Sequence, residues 1–258
     1  MRPALILLLA LAARAPAAAS TFDAGGVNLR YVDSGSGPAV VLLHGMSGSA
    51  STAWINPGTM LRLSDAGYRA IALDQRGHGG SDKPHDPAQY GMQMVHDVAR
   101  LLDHLGVEQA HIVGYSMGAK VANAFRVAYP QRILTVTLGG YGWPWASPEI
   151  DIDAARRSLI DRPLMPGNDL NAIAAMLAAA SELDLTQQDI ESNALPVLSI
   201  VADADEVVPR ADVLRLRRLM PGVVAVDVSG THAGPLGGLY SAGFSAAIID
   251  FIGATHAP

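Results

Sequence analysis

The run Ala39-Val40-Val41-Leu42-Leu43 carries no polar side chain and is closed by turn residues on both sides, Ser34-Gly35-Ser36-Gly37-Pro38 before it and His44-Gly45-Met46-Ser47-Gly48 after it. An extended segment with no polar face must be covered on both faces, and that is the situation of a parallel strand between two layers of helices. Comparable strand-like runs occupy 68–73, 110–115, 133–138, 197–201 and 223–228. Helical patterns separate them, such as Met94, Val95, Val98, Leu101, Leu102 and Leu105 at 3.6-residue spacing. The segment 21–34 reads as a hairpin turning at Gly25-Gly26, with Val27, Leu29 and Tyr31 on one face. This alternation predicts an α/β protein with a mostly parallel central sheet and helices on both faces.

One stretch breaks the rhythm. Between the strands at 133–138 and 197–201, residues of about 145–194 contain no strand-like run but read as short helices at 152–160, 169–181 and 186–193. The last opens with a cap-like Thr186-x-x-Asp189. An insertion of helices at this point, approached through Tyr141, Trp143 and Trp145, is expected to form a lid over the strand ends.

The N-terminus reads differently from the rest. Arg2 precedes an apolar run over 4–13, and Arg14, Pro16 and the small residues Ala17-Ala18-Ala19-Ser20 follow. This is the pattern of a secretory signal at 1–19, cleaved near Ala19, and it predicts a secreted or periplasmic domain over 20–258 with no permanent membrane anchor. The chain has no cysteine, which excludes disulfides, a thiol nucleophile and a lipobox anchor. With 18 basic against 24 acidic residues and no basic run, it carries no nucleic-acid footprint. His85, His96, His104, His111 and His256 have no spacing suited to a metal, so neither a metal nor a cofactor is expected. Oligomeric state is not legible.

The chemistry centres on Gly114-Tyr115-Ser116-Met117-Gly118, where a short apolar strand turns into a helix. Small residues two before and two after Ser116 permit a tight strand-to-helix turn that leaves the serine exposed above the strand ends. A serine hydroxyl is a poor nucleophile near neutral pH and needs a base within hydrogen-bond reach and a group to orient that base. Asp205 follows the strand at 197–201 and His232 follows the strand at 223–228. In a parallel sheet these loops emerge on the same edge as Ser116, where open α/β sheets bind their ligands.

Five segments taken together resemble the α/β-hydrolase fold superfamily, and the likeness runs from Val27 to the C-terminus. Leu42-Leu43-His44-Gly45 is similar to its oxyanion strand and loop, and Asp74-x-Arg76-Gly77-His78-Gly79-x-Ser81 to its characteristic loop. The remaining three are Gly114-x-Ser116-x-Gly118, Asp203-Ala204-Asp205-x-x-Val208-Pro209 and Gly230-x-His232. The resemblance implies Ser116 as nucleophile, His232 as general base then acid, Asp205 as its orienter, and the backbone N–H groups of Met46 and Met117 as the oxyanion hole. It leaves His44 and His78 as structural loop residues. Ala119-Lys120 departs from the pattern, since relatives often carry a second glycine there, and is expected to affect helix packing more than chemistry.

Relatives that open epoxides or displace halide use an aspartate where this chain has Ser116, so the resemblance points instead to acyl transfer to water. A small-molecule carboxylic ester is the leading expectation. Carbon–carbon bond hydrolysis, lactone hydrolysis, cofactor-free perhydrolase or haloperoxidase chemistry, and a catalytically silent ligand-binding role remain open. Trp143, Trp145, Met165 and Met176 are candidate substrate-binding residues, with Leu170 and Leu177 as further apolar lining.

Overall fold

The structure, a computed structural model, describes residues 18–144, 146–147, 149–161 and 164–255. Eight strands form one sheet: β1 (Ala18–Asp23), β2 (Asn28–Ser34), β3 (Ala39–Leu43), β4 (Arg69–Leu73), β5 (Ala110–Tyr115), β6 (Ile133–Gly139), β7 (Val197–Ala202) and β8 (Val224–Val228), in the order β1-β2-β4-β3-β5-β6-β7-β8. β1 pairs antiparallel with β2 and β2 with β4, while every later pairing is parallel.

The unbroken apolar runs are divided between two cores. Val41 and Leu43 of β3, with Ile71 and Leu73 of β4, join the core under α2 (Met92–His104) and α3 (Met117–Ala128). Val40, Leu42, Ala70 and Ala72 face the other core, built with Trp54, α1 (Thr59–Asp65) and α8 (Ala242–Thr255). The period-2 alternation of Cβ directions therefore sends neighbouring residues to opposite apolar layers. Polar spacing has nowhere to appear in such a strand.

The insertion folds into α4 (Ile152–Leu159), α5 (Leu170–Ala178) and α6 (Gln187–Glu191), after which α7 (Arg210–Leu219) connects β7 to β8. Each insertion helix is capped by a side chain, Asp151 to the Ala154 N–H, Asp169 to the Ala172 N–H, and Thr186 to the Asp189 N–H in a complete capping box. The single helix expected over 169–181 ends at Ala178 and continues as a 3₁₀ turn, Ala180–Leu183. Residues 1–17, most of the expected signal, and Trp145 lie outside the described residues. Ala18 and Ala19 belong to β1, paired with Asp33 and Val32, so cleavage after Ala19 would remove two residues of that strand. Among the described residues no helix is long and apolar enough to cross a membrane.

A π turn that the sequence does not signal follows β3. Ser51–Ile55 forms one π turn, with the Asn56 N–H donating to the Ser51 carbonyl at 2.9 Å. The Ala50 N–H donates to Asp74 Oδ1 at 2.6 Å, and Ser49 and Thr52 exchange bonds across its start. The turn buries Trp54 completely against the α8 side of the sheet.

Candidate active site

Strand β5 ends at Tyr115 and α3 begins at Met117, so the reversal falls on Ser116 alone, at φ 54° and ψ −118°. A positive φ is costly for a residue with a Cβ and persists only where the surroundings enforce it. Here they do. A Cβ on Gly114 would lie 2.2 Å from the Gly118 carbonyl oxygen, and one on Gly118 would lie 2.1 Å from the Leu43 carbonyl oxygen. The two flanking glycines thus let α3 close directly onto β5 and the end of β3, and the Ser116 N–H donates to the Gly139 carbonyl at 2.8 Å.

Three loops bring the predicted residues together. Ser116 Oγ lies 2.9 Å from His232 Nε2, and His232 Nδ1 lies 2.8 Å from Asp205 Oδ2. The other oxygen of Asp205 accepts the N–H groups of Val207 at 3.0 Å and Val208 at 2.9 Å. Burial pushes the Asp205 carboxyl up, but hydrogen bonds from His232, Val208 and Val207 outweigh it and hold the group below the usual carboxylate range. It is therefore an anion at neutral pH. That anion requires Nδ1 to carry the proton and leaves Nε2 as an acceptor facing the serine hydroxyl.

Asp203, two residues earlier, is used differently. Its Oδ1 accepts the Gly230 N–H at 3.0 Å, which ties the loop after β7 to the loop after β8.

The loop after β3 abuts the serine, since a Cβ on Gly45 would lie 3.2 Å from Ser116 Cβ. Met46 is half-buried in this loop and Met117 opens α3, where the first N–H groups have no partner within the helix. Neither amide donates to a protein acceptor among the described residues. Both are thus available to a carbonyl oxygen as it gains charge beside Ser116. His44 is fully buried behind them: its Nδ1 bonds the Gly45 carbonyl at 2.7 Å and its Nε2 accepts the Gln75 N–H at 3.1 Å. Burial lowers its pKa, and lowers that of His78 to about 3 with help from the neighbouring His44. Both histidines are neutral braces of their loops.

The substrate-side candidates differ in burial. Trp143 is buried, its Nε1 donates to the Leu185 carbonyl at 2.9 Å, and the Arg215 guanidinium sits 4.9 Å over its ring. Met176 is buried in the core that includes α5, and Met165 is 48% exposed. Leu170 and Leu177 pack at the edge of that core. The insertion nevertheless reaches the site, because Asn168 Nδ2 donates to the Ser47 carbonyl at 2.8 Å, one residue beyond Met46.

Lys120 turns out to do more than fill the face of α3. It is buried four residues after the serine, and its Nζ donates to Ser147 Oγ at 2.6 Å and to Asp184 Oδ1, joining the helix behind Ser116 to the insertion. Burial lowers the pKa of Lys120, and the bond and charge of Asp184 act against that shift. Lys120→Met is expected to lower unfolding free energy by about 1–3 kcal/mol, because Asp184 and Ser147 Oγ lose the ammonium, although Asp184 keeps the Ser147 N–H at 3.0 Å and both retain some access to water. The urea midpoint at unchanged m-value measures this, and a midpoint equal to wild type would count against the tether.

Two residues at the site had no sequence signal. Tyr115 donates its hydroxyl to the His232 carbonyl at 2.5 Å, and Glu206 Oε2 accepts the His232 N–H at 3.0 Å. Among the described residues, no three or more His, Cys, Asp or Glu side chains are grouped to hold a metal ion.

Residues 38–160 match the family described as the alpha/beta hydrolase fold. Among curated relatives, "Epoxide hydrolase 2" of Siraitia grosvenorii is 40% identical over 115 residues, 44% of this chain and 35% of the relative. The "2-hydroxy-6-oxo-6-phenylhexa-2,4-dienoate hydrolase" of Comamonas testosteroni is 38% identical over 120 residues, 46% of this chain and 42% of the relative. The chain thus spans less than half the length of these relatives. An enol-lactonase structure from Burkholderia xenovorans superposes with a TM-score of 0.76 at 21% identity, covering 90% of this chain and 99% of that one, a likeness of fold. With the matched segment running from β3 into the insertion and the structural likeness extending over the remaining strands, the chain belongs to the α/β-hydrolase fold superfamily.

Proposed function

We propose that this protein is an exported serine hydrolase that cleaves carboxylic esters of small molecules through an acyl-enzyme. The observation that carries the reading is the unbroken line Ser116 Oγ, His232 Nε2, His232 Nδ1, Asp205 Oδ2, with links of 2.9 and 2.8 Å. Ser116 Oγ attacks the ester carbonyl carbon while its proton passes to His232 Nε2. The carbonyl oxygen becomes an oxyanion and takes the N–H groups of Met46 and Met117. Collapse of the tetrahedral species expels the alcohol, which receives the proton from His232, and leaves Ser116 acylated. Water, deprotonated by the same histidine, then repeats the two steps and frees the acid.

The curated relatives include epoxide hydrolases, but a serine does not suit that reaction. A carboxylate that opens an epoxide leaves an ester, which water can cleave. A serine oxygen would leave an ether, with no carbonyl for water to attack, and the enzyme would stop after one event. Carbon–carbon bond hydrolysis is a second reading, favoured by the relative from Comamonas testosteroni. Its dienoate substrate carries a carboxylate, whereas the His232 rim already holds Asp205 and Glu206, two acidic groups that disfavour an anion.

Steady-state kinetics on p-nitrophenyl esters of increasing acyl length, set beside a 2-hydroxy-6-oxo-dienoate, test the assignment. Ester kcat/KM is expected to exceed dienoate kcat/KM by about 100-fold or more, close to 3 kcal/mol of transition-state discrimination. The reverse ratio would move the protein to carbon–carbon bond hydrolysis. Export is supported by the pattern over 1–19, and N-terminal sequencing of protein recovered outside the cytoplasmic membrane is expected to start near Ser20. Accumulation of the intact chain in the cytoplasm would overturn it.

A further inference from the structure

The loop that carries His232 has its backbone largely satisfied from within or by its neighbour. Thr231 N–H donates to the Leu236 carbonyl, Gly238 N–H to the Thr231 carbonyl, and Ala204 N–H to the Gly230 carbonyl. The Gly230 N–H goes to the Asp203 side chain. At His232 both groups are taken by side chains from outside the loop, the N–H by Glu206 at 3.0 Å and the C=O by Tyr115, the last residue of β5, at 2.5 Å. The residue is only 6% exposed, so these groups need protein partners.

The identity of the partners gives the arrangement its meaning. Tyr115 is the chain neighbour of Ser116, and Glu206 is the chain neighbour of Asp205. Each of the two loops that meets the imidazole with one residue therefore holds the histidine backbone with the next. The imidazole and the peptide of His232 are positioned by the same two dipeptides, Tyr115-Ser116 and Asp205-Glu206.

Both partners are themselves fixed. Tyr115 is buried, with its ring 5.4 Å from the His232 ring and 5.7 Å from Phe244, and burial raises the pKa of its hydroxyl so that it stays a donor. The Asp205-Glu206 loop is pinned by the Val207 and Val208 N–H groups on Asp205 Oδ1. Gly140 completes the fit at φ 55°, where a Cβ would lie 3.1 Å from both His232 Cε1 and Tyr115 Cζ.

We infer that Tyr115 and Glu206 are positioning residues that clamp the backbone of His232, and so set the Ser116 to His232 distance on which proton transfer depends. The inference rests on Ser116 and His232 being nucleophile and base. Proton transfer is sensitive to such placement, since a displacement of about 1 Å can cost on the order of 100-fold in rate. Both residues act on the backbone of the base, so losses should fall on kcat rather than KM.

The test uses the full chain with Tyr115→Phe, Glu206→Ala, Glu206→Gln and Ser116→Ala, each followed by ester kinetics, circular dichroism and labelling with a fluorophosphonate. Tyr115→Phe is expected to lower kcat by about 10- to 100-fold and Glu206→Ala by about tenfold, with KM within threefold of wild type. Glu206→Gln keeps a carbonyl oxygen for the His232 N–H and should return kcat to within about threefold of wild type. Equal losses in the Ala and Gln variants, or wild-type kcat in both Tyr115→Phe and Glu206→Ala, would overturn the clamp. Should Tyr115→Phe fail to fold, the Glu206 pair decides, because that side chain is exposed outside the core. Wild-type protein that takes no fluorophosphonate at Ser116 would overturn the nucleophile itself, an outcome separate from normal labelling with an unaffected clamp series.

Discussion

Ser116→Ala and His232→Ala are each expected to lower ester turnover by about four to six orders of magnitude with the fold retained. The Ser116 hydroxyl contacts His232 Nε2, and the strained turn beneath it is held by Gly114, Gly118 and the Gly139 carbonyl, all of which survive the substitution. Without the hydroxyl no acyl-enzyme forms, and the residual rate is what the oxyanion donors and binding supply to water directly. Without the imidazole the hydroxyl keeps its proton. Because the two residues act in one step, the double variant should be no slower than the slower single variant, a non-additivity expected of a functional unit. Active-site titration with a fluorophosphonate, together with circular dichroism, checks each protein. Near-normal turnover in either folded variant would remove that residue from the mechanism, and fully additive losses would show that the two do not share a step.

The parts of this site that the sequence announces are those whose position follows from the strand they terminate. Ser116 and Asp205 follow runs that form the buried parallel strands β5 and β7, His232 follows the parallel edge strand β8, and parallel strands deliver their C-terminal loops to one edge. Chain order alone then places them together. Tyr115 and Glu206 gave no such signal because their partner is a backbone group on a distant loop, and any residue has a backbone. Lys120 was visible as a departure from the family pattern, but a lysine inside a buried stripe is uninterpretable until Asp184 and Ser147, 64 and 27 residues away, fold against it. The insertion helices were legible as a stretch without strand-like runs, the last of them with its Thr186-x-x-Asp189 cap. Which of the nearby side chains meet a substrate was not: Trp143 and Met176 are buried, and Met165 lies toward solvent. Apolar periodicity says that a face is covered without saying by what.

The largest remaining expected effect separates two carboxylates two residues apart in one loop. Asp205 Oδ2 holds the His232 Nδ1 proton at 2.8 Å, whereas Asp203 Oδ1 accepts the Gly230 backbone N–H at 3.0 Å. In Asp205→Asn the amide oxygen can keep the Val207 and Val208 N–H groups, so the loop retains its shape. The NH₂ group then faces Nδ1, and a donor there favours the tautomer in which Nδ1 is the acceptor and Nε2 carries the hydrogen. That hydrogen points at Ser116 Oγ, and the base is lost without a change of geometry. Turnover is expected to fall by about 10⁴-fold. Asp203→Asn keeps an oxygen for the Gly230 N–H and changes no bond to the imidazole, so its loss should stay within about tenfold. The depressed pKa of Asp205 sets the matching pH dependence. Its share of stability is fully present above the unfolded-state value near 3.8 and is lost as pH falls through the lower folded value, so both wild type and Asp203→Asn should retain this contribution at neutral pH. Parallel kcat measurements on the two Asn variants decide the matter: a 10⁴-fold loss in Asp203→Asn with a small one in Asp205→Asn would redraw the acid of the triad around Asp203.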